Sequence, residues 1–276
     1  FIQKLDSSGN FIWAKSFGST SDDIGYSITV DSNNDIYITG RFYGTIDFDP
    51  GPNTFNLTSI YNREIFLLKL SSEGDFIWAK SFAEGSYSSG RSVTTDNVDN
   101  IYLTGWGSTN IYITKLDSSG NQLWSNSYFG TSSYNYGHSI YVDANNNLYV
   151  TGYYNGTIDF DLGTNVTNLT SNGSDDIFIL KLDSNGVFIW AKSIGGSNNR
   201  DIGESITGDS LGNVYITGRF RGTVDFDPNF GIWNLSSVGG EDIFVLKLDS
   251  NGNFIWAKSF GNDSSNWGQS IICDSE

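Results

Sequence analysis

The chain has 276 residues, of which 38% are apolar and 15% aromatic, which is enough for a hydrophobic core. Its 31 acidic and 15 basic residues give a formal charge of −16, and this charge argues against a nucleic-acid partner because it repels phosphate. The single cysteine, Cys273, excludes an intrachain disulfide framework, and no stretch approaches the roughly 18 apolar residues of a membrane helix. The chain lacks methionine and opens inside a repeat, so we expect a fragment of a longer or processed protein.

Two short motifs recur along the chain in step with each other. They are spaced about 65 residues apart, except for one interval of about 46 residues. The first motif is anchored by Trp13, Trp78, Trp124, Trp190 and Trp256. The second, Gly-x-Ser, begins at Gly25, Gly90, Gly137, Gly203 and Gly268. Because both anchors keep the same period, the chain is a repeat protein.

Each complete unit contains four short runs with strand character. In the first unit we place them at residues 27–31 (strand a), 36–39 (b), 65–70 (c) and 76–82 (d). The turns from a to b and from c to d are rich in Asp, Asn, Ser and Gly, which bond the local backbone or accept a positive φ. The pattern therefore predicts a four-stranded antiparallel meander in each unit.

Three of the four complete units carry an insert of about 20 residues between strands b and c. The unit at 83–128 lacks it and joins the two strands directly. The inserts alternate apolar residues with Thr and Asp and then turn back, which predicts an appended hairpin. Each contains an Asp-x-Asp pair, whose carboxylates suit Ca²⁺; the alternative is that they cap turns. These candidate metal ligands are Asp47, Asp49, Asp159, Asp161, Asp225 and Asp227.

The c strands are apolar on both faces, as in Ile65-Phe66-Leu67-Leu68, so neighbouring sheets must cover both sides. Radial stacking does this, and we predict an all-β fold, a β-propeller of four-stranded antiparallel blades. A sandwich or barrel would leave one polar face on each strand. We assign 1–276 to one propeller domain with five visible blade units. The full blades are 18–82, 83–128, 129–194 and 195–260; residues 1–17 supply strands c and d of a split blade, and 261–276 its first strand.

Five ordered motifs resemble a known repeat. They are Gly-x-Ser-Ile, Tyr-Ile-Thr-Gly, Gly-Thr-Ile-Asp-Phe-Asp, Ile-Phe-x-Leu-Lys-Leu and Ile-Trp-Ala-Lys-Ser, with small variations, and together they resemble the SBBP, or seven-bladed β-propeller, repeat. The frame is also similar to NHL-type propeller repeats. The resemblance implies that strand a is innermost, that strand d is outermost, and that the context is extracellular. The family name suggests seven blades, so five units would form either a ring with incomplete closure or, as we favour, an arc of a truncated larger ring.

One position of the Gly-x-Ser motif varies from unit to unit. In an a-b-c-d meander it lies at the start of strand a, on the side of the b–c inserts and d–a crossovers. A ligand-lining position near a central channel would vary in this way, and so would an unconstrained solvent position. The residues are Tyr26, Arg91, His138, Glu204 and Gln269. All nine lysines fall on strands c and d, where we expect a solvated rim.

The leading functional hypothesis is a non-catalytic, secreted or cell-surface scaffold that binds protein or glycan partners on the insert-and-crossover side. The sequence shows no catalytic constellation, and we expect no required cofactor. A second hypothesis is a Ca²⁺-dependent, lectin-like binder. A third is a hydrolase or lyase at the channel mouth that uses His138 and Glu204. Neither nucleic-acid binding nor membrane insertion is expected.

Overall fold

The computed structural model describes residues 1–197 and 199–274, and all regular secondary structure in these residues is β-strand. No helix in this part of the chain has the length and apolar character needed to cross a membrane. The strands are, in chain order, β1 (Ile2–Leu5), β2 (Phe11–Lys15), β3 (Ile24–Val30), β4 (Ile36–Phe42), β5 (Thr45–Asp47), β6 (Asn56–Thr58), β7 (Glu64–Leu70), β8 (Phe76–Phe82), β9 (Ser89–Thr95), β10 (Ile101–Trp106), β11 (Asn110–Leu116), β12 (Gln122–Phe129), β13 (Tyr136–Val142), β14 (Leu148–Tyr154), β15 (Thr157–Asp159), β16 (Asn168–Thr170), β17 (Asp176–Leu182), β18 (Phe188–Ile194), β19 (Ile202–Gly208), β20 (Val214–Phe220), β21 (Thr223–Asp225), β22 (Asn234–Ser236), β23 (Asp242–Leu248) and β24 (Phe254–Phe260).

Four sheets have four strands each and follow the predicted meander. Their strand orders are β3-β4-β7-β8, β9-β10-β11-β12, β13-β14-β17-β18 and β19-β20-β23-β24, called the first to fourth sheets below. The predicted inserts form the hairpins β5-β6, β15-β16 and β21-β22, and β1 pairs with β2. The strand pattern of the blades and the three inserted hairpins are therefore confirmed. The number of blades and the closure of the ring stay predictions.

The chain divides into two compact units. Unit 1 contains residues 1–108 and 114–123, and unit 2 contains residues 109–113 and 124 onward. Within unit 1, β9 packs on the first sheet, and Val93 N–H donates to Ser27 Oγ at 3.2 Å. Within unit 2, β19 packs on the third sheet in the same way, with Ile206 N–H donating to Ser139 Oγ at 3.2 Å. The assignment of all residues to a single propeller domain stays a prediction.

The segment after β24 differs from the expectation. Residues 261–276 were predicted to supply a first strand, but no strand forms in 261–274, and 275–276 lie outside the described residues. Gly268 N–H nevertheless donates to Gly218 O at 3.3 Å, and Ile271 N–H donates to Ser205 Oγ at 3.2 Å. The segment thus meets the fourth sheet as β19 meets the third. It forms no ladder because its described residues have no adjacent b strand to pair with.

Three of the c strands are buried along their whole length. Every residue of β7, β11 and β17 is buried, which confirms that both faces of these strands are covered.

Each insert adds to the core of its own sheet. In the first insert Phe48 is 1% exposed and its ring packs edge-on against Phe42 at 5.5 Å. The Asp-Phe-Asp motif is therefore first of all a packing motif, since its phenylalanine fixes the insert to the blade.

The hairpin turns have the predicted chemistry. In the first sheet, Asp31 Oδ1 accepts the backbone N–H groups of Asn33 and Asp35, both at 2.9 Å. Asn34 adopts a φ of 63°, in the left-handed region that Asn and Gly tolerate best. The same position is occupied in the other such turns by Gly9, Gly74, Asp99, Gly120, Asn146, Gly186, Gly212 and Gly252, all with positive φ.

The expectation of a solvated lysine rim is wrong for three lysines of the c strands, Lys69, Lys115 and Lys181, which are buried. Lys69 is 7% exposed; its Nζ lies 2.9 Å from Asp35 Oδ2, 3.4 Å from Asp31 Oδ2 and 5.0 Å from the centroid of the Tyr37 ring. Tyr37 is fully buried, and its hydroxyl donates to Asp31 at 3.0 Å. The reason is that Lys alternates to the same face of the sheet as the b-strand Tyr, where the turn carboxylate compensates its charge. Lys–Tyr stacking recurs at Lys115–Tyr102, Lys181–Tyr149 and Lys247–Tyr215.

Candidate functional site

The variable position of Gly-x-Ser is a β-bulge. In the first sheet Gly25 pairs with Gly40 and Ser27 with Thr39, so Tyr26 has no partner across the ladder. A bulge re-aims the side chain of its extra residue. The two strands approach so closely that a Cβ at Gly40 would overlap Ile24 O, which explains the Gly of the Thr-Gly motif. The equivalent bulged residues are Arg91, His138 and Glu204.

In unit 2 two of the predicted residues form an ion-pair network, which we call the His138 cluster. His138 Nδ1 lies 3.0 Å from Glu204 Oε2, and both side chains are 10% exposed. Arg219 Nη2 lies 3.6 Å from Glu204 Oε1, and Arg219 Nη1 lies 3.6 Å from Glu241 Oε2. Trp267 Nε1–H donates to Glu241 Oε2 at 2.6 Å, and the Arg219 guanidinium stacks 4.5 Å from the Trp267 ring. Glu204 and Glu241 therefore compensate the positive charge of Arg219.

A second group of rings adjoins the His138 cluster. The Tyr136 and Tyr153 rings stack at 4.8 Å, and His138 packs edge-on against Tyr153 at 5.3 Å. Arg200 lies over the same Tyr153 ring at 5.3 Å and forms an ion pair with Asp175. Burial raises the pKa of the Tyr153 hydroxyl, so this group stays neutral at physiological pH. Unit 2 thus presents aromatic rings and paired charges on its insert side.

In unit 1 two further predicted residues, Tyr26 and Arg91, lie in a group with a different charge balance. Arg91 lies 4.3 Å from the Tyr26 ring centroid and Arg41 lies 5.8 Å from it. Both guanidinium groups therefore contact one ring. Arg63 likewise lies over the Tyr87 and Trp106 rings, and we call these two sets of contacts together the arginine cluster: Tyr26, Arg41, Arg63, Tyr87, Arg91 and Trp106.

The sequence-based site was partly right about which residues meet. Of the five predicted positions, Tyr26 contacts Arg91 and His138 contacts Glu204. Gln269 is exposed, on the irregular segment next to Trp267. Sequence reasoning missed Arg41, Arg63 and Arg219. One signal was available: the residue after the Gly of Thr-Gly also varies between repeats, as Arg41, Trp106, Tyr153 and Arg219.

The Asp-x-Asp pairs cap the insert turns. Asp47 Oδ1 accepts the N–H groups of Asp49 at 3.1 Å and Phe55 at 2.8 Å, and Asp49 Oδ1 accepts Gly51 N–H at 2.7 Å. Oδ1 of Asp159, Asp161, Asp225 and Asp227 accepts backbone N–H groups in the same way. Residues 1–197 and 199–274 contain no group of three or more His, Cys, Asp or Glu residues arranged to hold a metal ion. Calcium binding by these residues stays a prediction.

Two buried carboxyl groups fasten the loops on the insert side of unit 2. Asp201 is fully buried and accepts N–H groups from Gly196 at 2.8 Å and Arg221 at 3.0 Å. Burial raises its pKa to about 7, and the nearby Asp176 raises it further against the effect of these bonds. Burial likewise raises the pKa of Asp176 to about 6. These acids take part in loop anchoring, and their titration falls near neutral pH.

Comparison with known proteins agrees with this architecture. The SBBP β-propeller repeat matches residues 12–41 and 189–219, each a stretch that runs from a d strand into strands a and b of the next sheet. Two segments of this chain therefore match the SBBP β-propeller repeat. It is also 26% identical, over 358 aligned positions, to an uncharacterized WD repeat-containing protein of Acanthamoeba polyphaga mimivirus. That alignment covers 100% of this chain and 25% of the relative, so the chain spans about a quarter of the relative's length.

The matched SBBP segments contain the bulge and its glycine partner. Residues 12–41 include Tyr26 and Arg41, and residues 189–219 include Glu204 and Arg219. Both pairs occupy variable positions within a repeat whose remaining residues build the blade. The SBBP frame therefore fixes where these side chains lie and leaves their chemistry free to differ between blades.

Proposed function

We propose that this chain is a non-catalytic binding scaffold that recognises a protein partner with the insert side of its SBBP blades. One observation carries the proposal: the bulged residue and its b-strand neighbour change from sheet to sheet, whereas the Asp–Tyr–Lys framework of the blades repeats. The bulges place the varied residues as two clusters of rings and charges, the His138 cluster in unit 2 and the arginine cluster in unit 1.

The residue types favour a protein over a glycan. Arginine, tryptophan and tyrosine carry most of the binding energy at protein interfaces. All six arginines of the chain lie at the insert ends of strands or in the crossovers; they are Arg41, Arg63, Arg91, Arg200, Arg219 and Arg221. Large rings are exposed beside them, since Tyr87 is 50% and Trp267 53% exposed. The surface therefore offers rigid aromatic contacts with directed hydrogen-bond donors.

The experiment compares the two ends of the blades. A protein crosslinked to the chain in an extract of its source is purified, and its dissociation constant is measured for the variants Tyr87→Ala and Trp267→Ala. The matched controls are Val98→Ala and Leu211→Ala, two exposed apolar residues in a–b turns. We expect at least one insert-side variant to weaken binding about tenfold or more. A loss confined to the turn variants, or a captured partner that is a glycan, would overturn the proposal.

The hydrolase or lyase hypothesis and the cellular location stay predictions. A hydrolase or lyase at His138 and Glu204 would show turnover that His138→Ala abolishes. In the structure these two side chains are engaged with each other and with Arg219, as expected for a rigid surface. A secreted or cell-surface location would be checked by fractionating cells that make the full-length protein.

A further inference from the structure

The arginine cluster of unit 1 is a basic site within an acidic protein. The structure gives the side chains of Arg41, Arg63 and Arg91 no ion pair and no hydrogen-bond acceptor among residues 1–197 and 199–274. Nε of Arg41 and Nε of Arg63 are buried and lack a partner in this part of the chain. Three unpaired cations are unusual in a chain whose formal charge is −16. They require an explanation other than local charge balance.

The equivalent positions of the fourth sheet show what is missing. Arg219 occupies the position of Arg41, immediately after the Gly of Thr-Gly, and it lies 3.6 Å from both Glu204 and Glu241. In the first sheet Tyr26 replaces Glu204 at the bulge, and Arg63 replaces Glu241 before strand c. Both acids are thus absent and one is replaced by a further cation. The same frame is neutralised internally in unit 2 and left positive in unit 1.

Aromatic rings take the place of acids in holding these arginines. Arg91 and Arg41 lie over Tyr26, and Arg63 lies 4.5 Å from the Trp106 ring and 5.4 Å from the Tyr87 ring. Stacking fixes a guanidinium plane without using its N–H groups, which remain free to donate in the plane. The planar fork of arginine matches a carboxylate in a bidentate manner. The stacked arginines are therefore suited in geometry to carboxylates.

We propose that the arginine cluster binds side-chain carboxylates of an acidic peptide segment of the protein partner. This inference rests on the proposed function and names the chemistry of the partner. A peptide is favoured because the stacked rings and three cations, spread over two neighbouring blades, suit several carboxylates along an extended chain. The net negative charge of the protein repels anions at long range, so binding depends on short-range contacts with the arginines. Anions whose carboxylates are not spaced to meet these arginines are therefore rejected.

The test uses a hexaglutamate peptide, titrated calorimetrically into the intact chain in low salt, with hexaglutamine and inorganic phosphate as the other arms. We expect binding of hexaglutamate, no binding of hexaglutamine, and phosphate binding at least about tenfold weaker. Arg41→Gln and Arg91→Gln should each weaken hexaglutamate binding about tenfold or more. Arg221→Gln is the matched control, because it removes the same charge from an exposed arginine on the insert side of unit 2.

Thermal melting checks that each glutamine variant folds. If one does not, two further variants still test the inference. Tyr26→Glu restores the acid found at position 204 and should abolish binding, whereas Arg91→Lys keeps the charge without the fork and should bind at an intermediate level. Equal affinity in all variants, phosphate binding as tight as hexaglutamate binding, or no hexaglutamate binding would overturn the inference. If hexaglutamate fails while Tyr87→Ala still weakens the natural partner, the acidic-peptide inference falls and the proposed function stands.

Discussion

Substitution of Asp31 by alanine tests the buried framework of the first sheet. The Asp31 carboxylate caps its turn through Asn33 and Asp35, accepts the hydroxyl of the fully buried Tyr37 at 3.0 Å, and lies 3.4 Å from Lys69 Nζ. Loss of the turn bonds should cost about 1 kcal/mol. Leaving the Tyr37 hydroxyl unsatisfied should add about 1–3 kcal/mol, and the loss of one carboxylate beside a buried lysine adds to this. We expect a total on the order of 3–5 kcal/mol.

Asp117→Ala is the matched control in the same unit. Asp117 Oδ1 accepts the N–H groups of Ser119 and Asn121 just as Asp31 accepts those of its turn, but neither a tyrosine hydroxyl nor a lysine ammonium lies within bonding distance of it in the described part of the chain. Its replacement should cost only about 1 kcal/mol. Urea unfolding followed by circular dichroism measures both variants, with the slope against urea as a check that the unfolding transition is unchanged.

A double-mutant cycle isolates the Tyr37 contribution. Tyr37→Phe removes the hydroxyl and leaves no buried donor unpaired, so Asp31→Ala should cost about 1–3 kcal/mol less in the Tyr37→Phe background than in the wild type. Equal destabilisation by Asp31→Ala and Asp117→Ala, together with no coupling to Tyr37, would refute the view that the turn aspartate neutralises a buried Tyr–Lys pair.

Further predictions concern pH, glycine and calcium. Folding raises the pKa of Asp176 to about 6 and of Asp201 to about 7, so the stability they contribute is complete below about pH 4 and is lost as the pH rises through 6 and 7. The melting temperature should fall between about pH 4 and pH 7, and Asp201→Asn should flatten this slope; a rise would contradict the argument. Gly90→Ala should destabilise by about 2 kcal/mol or more, because its Cβ would overlap Thr39 Oγ1, whereas Gly25→Ala should cost under about 1 kcal/mol, since its nearest neighbour, a methyl carbon of Ile38, lies at 3.7 Å. Millimolar Ca²⁺ should leave the melting temperature unchanged if Asp47 only caps its turn, and an increase that Asp47→Asn removes would show a calcium site.

The strand order and the inserts were predictable because they follow from local patterns. The spacing of apolar residues, the turns rich in Asp, Asn and Gly, and the continuous apolar c strands each reflect local backbone preferences, which hold whatever the rest of the fold. Lys69 was misjudged because its burial depends on a partner, Asp31, that is distant in sequence and reaches it through the sheet. Composition indicates that a lysine prefers water, but it does not show that a carboxylate lies inside to compensate its charge.

The sequence by itself determined the repeat, the four-stranded meander, the inserted hairpins and the existence of a variable position on one side. Only the tertiary structure decided what that position does. It places Tyr26 and its counterparts at β-bulges, and among the described residues it pairs Arg219 with acids while Arg41 has no acid partner. The physical reason is that ion pairing depends on distances of about 3–4 Å between residues far apart in the chain, which a repeat pattern places on a shared side without fixing which of them meet.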